Sequence, residues 1–297
     1  GALSVGSMDL FAEMYRPMMM DNIHVEAPDC YRCPYGKQRG SCDCVCIEHA
    51  ERAFAEHGKE TAAMIVEPLL QGSAGMRIYP EEYLRKLRAL CDAHDVLLIA
   101  DEIATGFGRT GRLFACERAG ITPDLMCLSK GLTGGYMPMS ITIVKEKIYE
   151  AFYADWSEGR AFMHSHTYAG NPLGCAAALA VLDILDEENV LEQAENTAAW
   201  LTERMTDAFG AHQSVGEIRH IGLIHAVELV EDRAEKRPFD SARRLGYAIY
   251  RRALKNGLLL RPLGNVLYFN PPLNIGKNDL EIAIERMKLS MDEVLGA

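Results

Sequence analysis

Two short apolar runs constrain this chain more than anything else in it. Val96–Ala100 closes on Asp101, and Leu125–Leu128 leads through Ser129 to Lys130. A run of about five apolar residues closed by a polar one reads as a strand buried on both faces, the pattern of a parallel sheet. Open α/β sheets place their ligands at the C-terminal edge of such strands. A third run, TAAMIV at 61–66, closes in the same way on Glu67 and Pro68. The expectation is an α/β fold with a mostly parallel sheet flanked by helices, and with Glu67, Asp101 and Lys130 along one sheet edge.

The remaining pattern alternates helix and strand. Amphipathic spacing predicts helices at 46–57 and 81–94, with strands at 96–100, 124–128 and 139–144. After the turn-rich HSHTYAGNPLG, the small residues of CAAALAVLDIL suggest a tightly packed helix. Beyond that the style changes. Long helices are expected at 189–209 and 240–256, short strands at 222–229, 258–261 and 266–269, and a last helix at 278–294. This suggests a large domain over 1–184 and a smaller C-terminal α+β domain over 185–297.

Composition narrows the function. Lys and Arg number 31 against 42 Asp and Glu, a net charge of −11, so no basic excess exists to neutralise a phosphate backbone. No apolar run approaches membrane-spanning length and no signal segment opens the chain, so neither nucleic acid nor membrane is an expected partner. Nine cysteines, an odd number, read as reduced thiols of a cytoplasmic protein. Five of them lie in CYRCPYGKQRGSCDCVC. Cys30 and Cys33 have ligand spacing, but the second half is C-x-C-x-C, so a surface loop is expected and no metal. His164 and His166 form a weaker metal pair still, with no acid or thiol at helical spacing.

Two motifs mislead. Gly106-x-Gly108-x-x-Gly111 matches a dinucleotide fingerprint literally, but five residues separate its first glycine from the strand, and Asp124 precedes a strand where the motif needs an acid ending one. LLIADE resembles the acidic strand of a nucleotide triphosphatase, yet no phosphate-loop sequence occurs in the chain. An acid on one strand end and a lysine on the next suit pyridoxal phosphate instead. The lysine forms a Schiff base, and the carboxylate keeps the pyridine nitrogen protonated so that the ring accepts electrons. The alternative is a structural ion pair or solvated loop charges.

IADEIATGFGRTG, SKGLTGG, HTYAGNPLGCAAALA and RPLGNVLYFNPP, in this order and spacing, resemble the class III aminotransferases of fold type I. The resemblance covers essentially the whole chain. FGRTGRLFACE and LLLRPLGNVLYFNPP are most similar to the members that serve biotin biosynthesis. Gly1 corresponds to a point well inside the family's chain. The family's N-terminal third, with its phosphate-gripping loop and the aromatic that stacks on the cofactor, is therefore expected to have no counterpart in these residues.

The resemblance implies a role for each matched residue. Lys130 would be the Schiff-base lysine, Asp101 the partner of the pyridine nitrogen, and Ile103 a contact on one ring face. Thr167, with His166 beside it, would reach the cofactor phosphate of a neighbouring subunit, which implies a homodimer with its active site at the interface. Ser165 stands where the family often has a substrate-contacting glycine. Arg261 would bind the acceptor's carboxylate, Arg109 would be a second active-site arginine, and Glu67 would pair with Arg261 when no carboxylate is bound. The implied substrates are S-adenosylmethionine as amino donor and 8-amino-7-oxononanoate as acceptor, with lysine as another possible donor. The competing readings are a class III transaminase acting on an ω-amino acid or diamine, and an inactive fragment or scaffold.

Overall fold

The computed structural model describes residues 1–6 and 9–296. Short helices α1 (Ala2–Val5) and α2 (Asp9–Ala12) and an irregular stretch lead to α3 (Glu48–His57). Next come β1 (Ala63–Val66), the hairpin of β2 (Leu70–Gln71) and β3 (Arg77–Ile78), α4 (Glu81–Ala93) and β4 (Leu97–Asp101). They are followed by α5 (Ala115–Ala119), β5 (Leu125–Leu128), β6 (Ile141–Val144), α6 (Glu146–Phe152) and α7 (Pro172–Glu187). The C-terminal part comprises α8 (Val190–Phe209), β7 (Val215–Ile221), β8 (Ile224–Asp232), β9 (Arg237–Pro238), α9 (Leu245–Lys255), β10 (Val266–Phe269) and α10 (Lys277–Leu295).

The first sheet has the order β1-β4-β5-β6, with β1, β4 and β5 parallel and β6 antiparallel at the edge. Helix α4 supplies the crossover from β1 to β4. Its Tyr83, Leu84, Leu87 and Cys91 recur at helical spacing and are buried against Leu98 and the β2–β3 hairpin. Asp124, just before β5, pins this layer together. Its carboxylate accepts from Leu98 N (2.9 Å), Arg88 Nη1 (2.7 Å) and Lys145 Nζ (2.9 Å). Burial alone would push that carboxyl up, but these three donors hold it well below the usual carboxylate range.

A second sheet, β10-β8-β7, is antiparallel. Val227 and Leu229 on β8 pack under α8, α9 and α10, whereas Ile224 and Ala226 join the core of the first layer. Alternate side chains thus serve two cores, and residues 224–230 are all buried.

Several expectations need correction. Strand β7 appears where none was expected, paired with β8 across a tight turn at Gly222. Residues 258–261 are not a strand. Gly257 turns the chain at φ +76°, Pro262 lacks an N–H, and only an isolated bridge between Leu263 and Val266 forms there. The helix expected from 240 begins as a 3₁₀ turn, with α9 proper starting at Leu245. Helix α7 is not tightly packed within the described residues. Gly174 and Ala178 are buried, but Leu173, Leu179, Leu182 and Ile184 are exposed. Its small residues allow close approach on one side, to the turn at 130–133, and leave the other side open.

The cysteine segment folds so that Cys30, Cys33, Cys42, Cys44 and Cys46 line one small cavity as free thiols. Among the described residues, no group of three or more His, Cys, Asp or Glu is arranged to hold a metal ion. No described helix is long and apolar enough to cross a membrane. Burial, opposed by Arg39 and reinforced by neighbouring thiols, pushes Cys30 up to about 12, and burial with neighbouring thiols pushes Cys44 up to about 11. Elemental analysis of purified protein is expected to find no stoichiometric zinc or iron, and one equivalent of either would contradict this.

The buried His225 gives a second prediction. Its Nε2 lies 2.9 Å from Thr202 Oγ1, Nδ1 has no side-chain hydrogen bond among the described residues, and His220 stacks on it at 5.1 Å. Burial, and secondarily His220, pull its imidazole down from 6.5 to about 4. The unfolded chain therefore binds a proton that the folded chain refuses. The His225 contribution is intact above 6.5 and is lost as pH falls towards 4. Urea unfolding should show the wild type losing about 2 kcal/mol more than His225→Gln between about pH 7 and about pH 4.5. Parallel losses in the two proteins would contradict the assignment.

Candidate active site

The parallel register decides what meets at the sheet edge. Val66 pairs with Ala100 and Asp101 with Cys127, so Glu67 and Asp101 leave adjacent strands side by side and Lys130 follows three residues after Cys127. Adjacent strands lie about 4.8 Å apart, which brings all three side chains into one electrostatic neighbourhood. Glu67 reflects this. Burial raises its carboxyl first, the Gly72 N–H opposes that rise, Asp101 adds to it and Lys130 subtracts from it. Glu67 Oε1 accepts from Gly72 N at 3.2 Å, and the Glu67 carbonyl accepts the Tyr79 hydroxyl at 2.6 Å.

Lys130 has φ +45°, a left-handed conformation that a non-glycine residue adopts only under constraint. It opens a 3₁₀ turn over Lys130–Thr133, with Ser129 Oγ donating to Met139 O at 2.7 Å behind it. The side chain is exposed, and among the described residues its amine makes no hydrogen bond or ion pair. Asp101 accepts Ile103 N–H on Oδ1 at 3.0 Å, which leaves Oδ2 for another donor. A free amine and a carboxylate with an open oxygen, on neighbouring strand ends, fit the aldehyde and ring nitrogen of pyridoxal phosphate.

Glu102, which the sequence reading passed over, organises the loop between them. It is 0% exposed and accepts from the Thr105 hydroxyl, Ala115 N (3.0 Å) and Cys116 N (2.8 Å). The loop 103–114 is thereby closed over the strand end. Phe107 then packs on the lysine turn, where a Cβ on Gly131 would lie 2.9 Å from Phe107 Cβ. Only glycine permits that approach. The detectable signal was strand alternation: of two consecutive acids, one must face away from the other.

Arg109 lies on this loop. Its backbone carbonyl is close enough to Gly222 that a Cβ there would sit at 2.4 Å, so the loop rests directly on the β7–β8 turn. Its Nη1 donates to Pro271 O at 2.5 Å, and it makes no ion pair among the described residues. Burial pulls its guanidinium down to about 10. Arg261 is exposed and likewise makes no ion pair among the described residues. Among the described residues the expected Glu67–Arg261 pair does not form: Glu67 Oε1 accepts Gly72 N, and the charge of Arg261 bears on Tyr268.

Ser165, His166 and Thr167 lie in an exposed segment, residues 159–170. His166 Nδ1 accepts Tyr168 N at 3.1 Å. No hydrogen bond or ion pair among the described residues joins these three to Lys130 or Asp101. The structure thus brings Glu67, Asp101, Ile103 and Lys130 together and leaves Ser165, His166, Thr167 and Arg261 facing outward.

The aminotransferase class-III family model matches residues 1–291. An adenosylmethionine-8-amino-7-oxononanoate aminotransferase of Geobacter sulfurreducens is 45% identical over all 297 residues, which span 65% of that relative's length. The enzyme of the same name from Nitratidesulfovibrio vulgaris is 42% identical over 97% of the chain and 53% of its own length. The chain therefore spans about half to two thirds of these curated relatives. Among solved structures, the Methanocaldococcus jannaschii adenosylmethionine-8-amino-7-oxononanoate aminotransferase superposes with a TM-score of 0.89 at 33% identity, over 99% of this chain and 65% of that one. An amine transaminase from an uncultivated Pseudomonas species, in its pyridoxal-phosphate-bound form, gives 0.92 at 34% identity, over 99% and 66%. A sheet edge carrying lysine and aspartate, a family match over nearly the full length, and this likeness in structure place the chain in the class III aminotransferases.

Proposed function

We propose that the protein to which this chain belongs is a pyridoxal-phosphate-dependent aminotransferase of biotin biosynthesis. It would convert 8-amino-7-oxononanoate to 7,8-diaminononanoate with S-adenosylmethionine as amino donor, in the cytoplasm and as a homodimer. The observation that carries the reading is the juxtaposition of Lys130 and Asp101 on parallel strand ends, with Glu67 beside them. Residues 1–184 would form the cofactor-binding body and 185–297 the smaller domain. The names of the relatives support the substrate pair. Exposed apolar side chains between Tyr136 and Ile184, among them Trp156, Phe162, Met163 and Leu173, suit association between copies. A second reading, an amine or ω-amino-acid transaminase, draws on the likeness to the Pseudomonas enzyme.

Pyridoxal phosphate, when bound, supplies an aldehyde that takes up amines and a ring that accepts electrons from the substrate carbon. Lys130 would hold that aldehyde and, once its amine is free, move a proton at Nζ as general acid and base. Asp101 Oδ2 would keep the proton on the ring nitrogen, while Ile103 N–H fixes the carboxylate through Oδ1. Ile103 would lie against a ring face and exclude water from it. Thr167 and His166 face outward, as residues serving a neighbouring subunit's phosphate site would, and Ser165 would sit near the substrate entrance. Arg261, exposed and without an acid partner among the described residues, would take the acceptor's carboxylate, with Arg109 deeper on the loop as a second cation.

Two substitutions test the core of this reading in the full chain. Lys130→Ala should retain the fold and lose turnover altogether. Asp101→Asn should bind the cofactor yet lose at least about 100-fold in kcat, the scale of a lost proton-holding group. Normal turnover in either variant would contradict the assignment.

The substrate clamp is tested separately. Arg261→Ala should raise the acceptor KM about 10- to 100-fold, the worth of a charged hydrogen bond, and leave the donor half-reaction unchanged. Equal damage to both half-reactions, or to neither, would count against the clamp. Faster amine uptake from an ω-amino acid than from S-adenosylmethionine would favour the second reading.

A further inference from the structure

The turn that follows Glu67 is gripped by a residue from the C-terminal sheet. At the tip of the β2–β3 hairpin, Gly72 O accepts Gly75 N (3.2 Å) and Met76 N (3.0 Å), so residues 72–76 close on themselves. The N–H of the same Gly72 donates to Glu67 Oε1. From β7, Arg219 donates through Nε to Met76 O at 2.8 Å and through Nη2 to Gly75 O. Its Nη1 donates to Glu217 Oε2 and Glu228 Oε2, each at 2.7 Å, and Arg32 pairs with the other oxygen of Glu228. Arg219 is 6% exposed.

A guanidinium buried between two carboxylates is a costly way merely to join two stretches of chain, since apolar packing does that as well or better. Its planar fork does what apolar packing cannot, holding two successive carbonyls in a fixed orientation. The turn needs such a hold. Met76 sits at φ +53°, a left-handed conformation that a non-glycine residue keeps only where neighbours impose it.

We propose that Arg219 is a positioning residue: by holding the Gly75 and Met76 carbonyls it fixes the 72–76 turn, and through the Gly72 N–H it holds the Glu67 carboxylate beside Asp101 and Lys130. Its kinetic consequence rests on the reading of that sheet edge as the reaction site, but its structural consequence does not. The groups acting on Glu67 are the Gly72 N–H, Asp101 and Lys130, in a setting whose burial favours the neutral acid. Loosening the turn removes the Gly72 hydrogen bond that, among the described residues, favours the carboxylate. The midpoint of Glu67 then rises.

The test is the titration of Glu67 in the full chain without cofactor, followed by ¹³C NMR of carboxyl-labelled glutamate and assigned with Glu67→Gln. Arg219→Lys keeps a positive charge near Glu217 and Glu228 but cannot span both carbonyls. In this variant the Glu67 midpoint should move up by about one unit, the scale of one lost N–H bond to a carboxylate. With cofactor and substrates, the acid limb of the pH–rate profile should move the same way. An unchanged Glu67 midpoint in folded Arg219→Lys overturns the proposal. Should that variant not fold, hydrogen exchange in the unmutated chain decides. The Gly72, Gly75 and Met76 amides should open together, with protection within about tenfold of one another. Unprotected Gly72 beside protected Gly75 and Met76 overturns it. A chain whose Glu67 titrates as expected but which turns over no substrate would sink the reaction reading and leave the clamp standing.

Discussion

Successive side chains of a strand face opposite sides of the sheet, and at the end of β4 two acids obey that rule with opposite fates. Asp101 stays at the edge with one oxygen open. Glu102 goes fully into the core, where a hydroxyl and two backbone N–H groups surround its carboxylate. A buried carboxylate is tolerable only when so well supplied with donors, and all of these come from residues 105–116. Supplying them draws the chain back over the strand end and seats Phe107 against Gly131, one residue after Lys130. The loop carrying Ile103 and Arg109 and the turn carrying Lys130 therefore share one support, and two separate strand ends become a single site.

The same logic extends outward. Asp124 fixes β5 to β4 through Leu98 N, and therefore fixes the height at which Lys130 leaves the sheet. Arg219 performs a similar service for Glu67 from the other sheet, through carbonyls more than 140 residues away in sequence. The two sheets share a core through Ile224, Ala226 and Val266. The edge carrying the three charged residues is thus held by both halves of the chain.

What could be read from sequence was what periodicity and strand ends record. Helix α4 and strands β4 and β5 formed as their apolar spacing required, and Asp101 and Lys130 stood out because each follows an apolar run, although those runs are only partly buried here. β7 carries Glu217 and Arg219 in its apolar pattern; they pair with each other, and Arg219 also reaches Glu228 on β8 and the β2–β3 hairpin. LLL at 258–260 looked like a strand by composition alone, but Gly257 and Pro262 deny it a ladder. The small residues of α7 suggest a tightly packed helix, but small side chains permit contact without requiring it. His166, Thr167 and Ser165 came from resemblance only. They lie in an exposed segment with few local bonds, so nothing in their own spacing could have marked them.

The proposal stands or falls with the Lys130 amine holding the cofactor. The most direct measurement is borohydride reduction of the full chain loaded with pyridoxal phosphate, followed by peptide mass spectrometry. One pyridoxyl phosphate group per chain is expected, fixed on the peptide containing Lys130. A label on another lysine, or one spread over surface lysines with Lys130 unmodified, would contradict it.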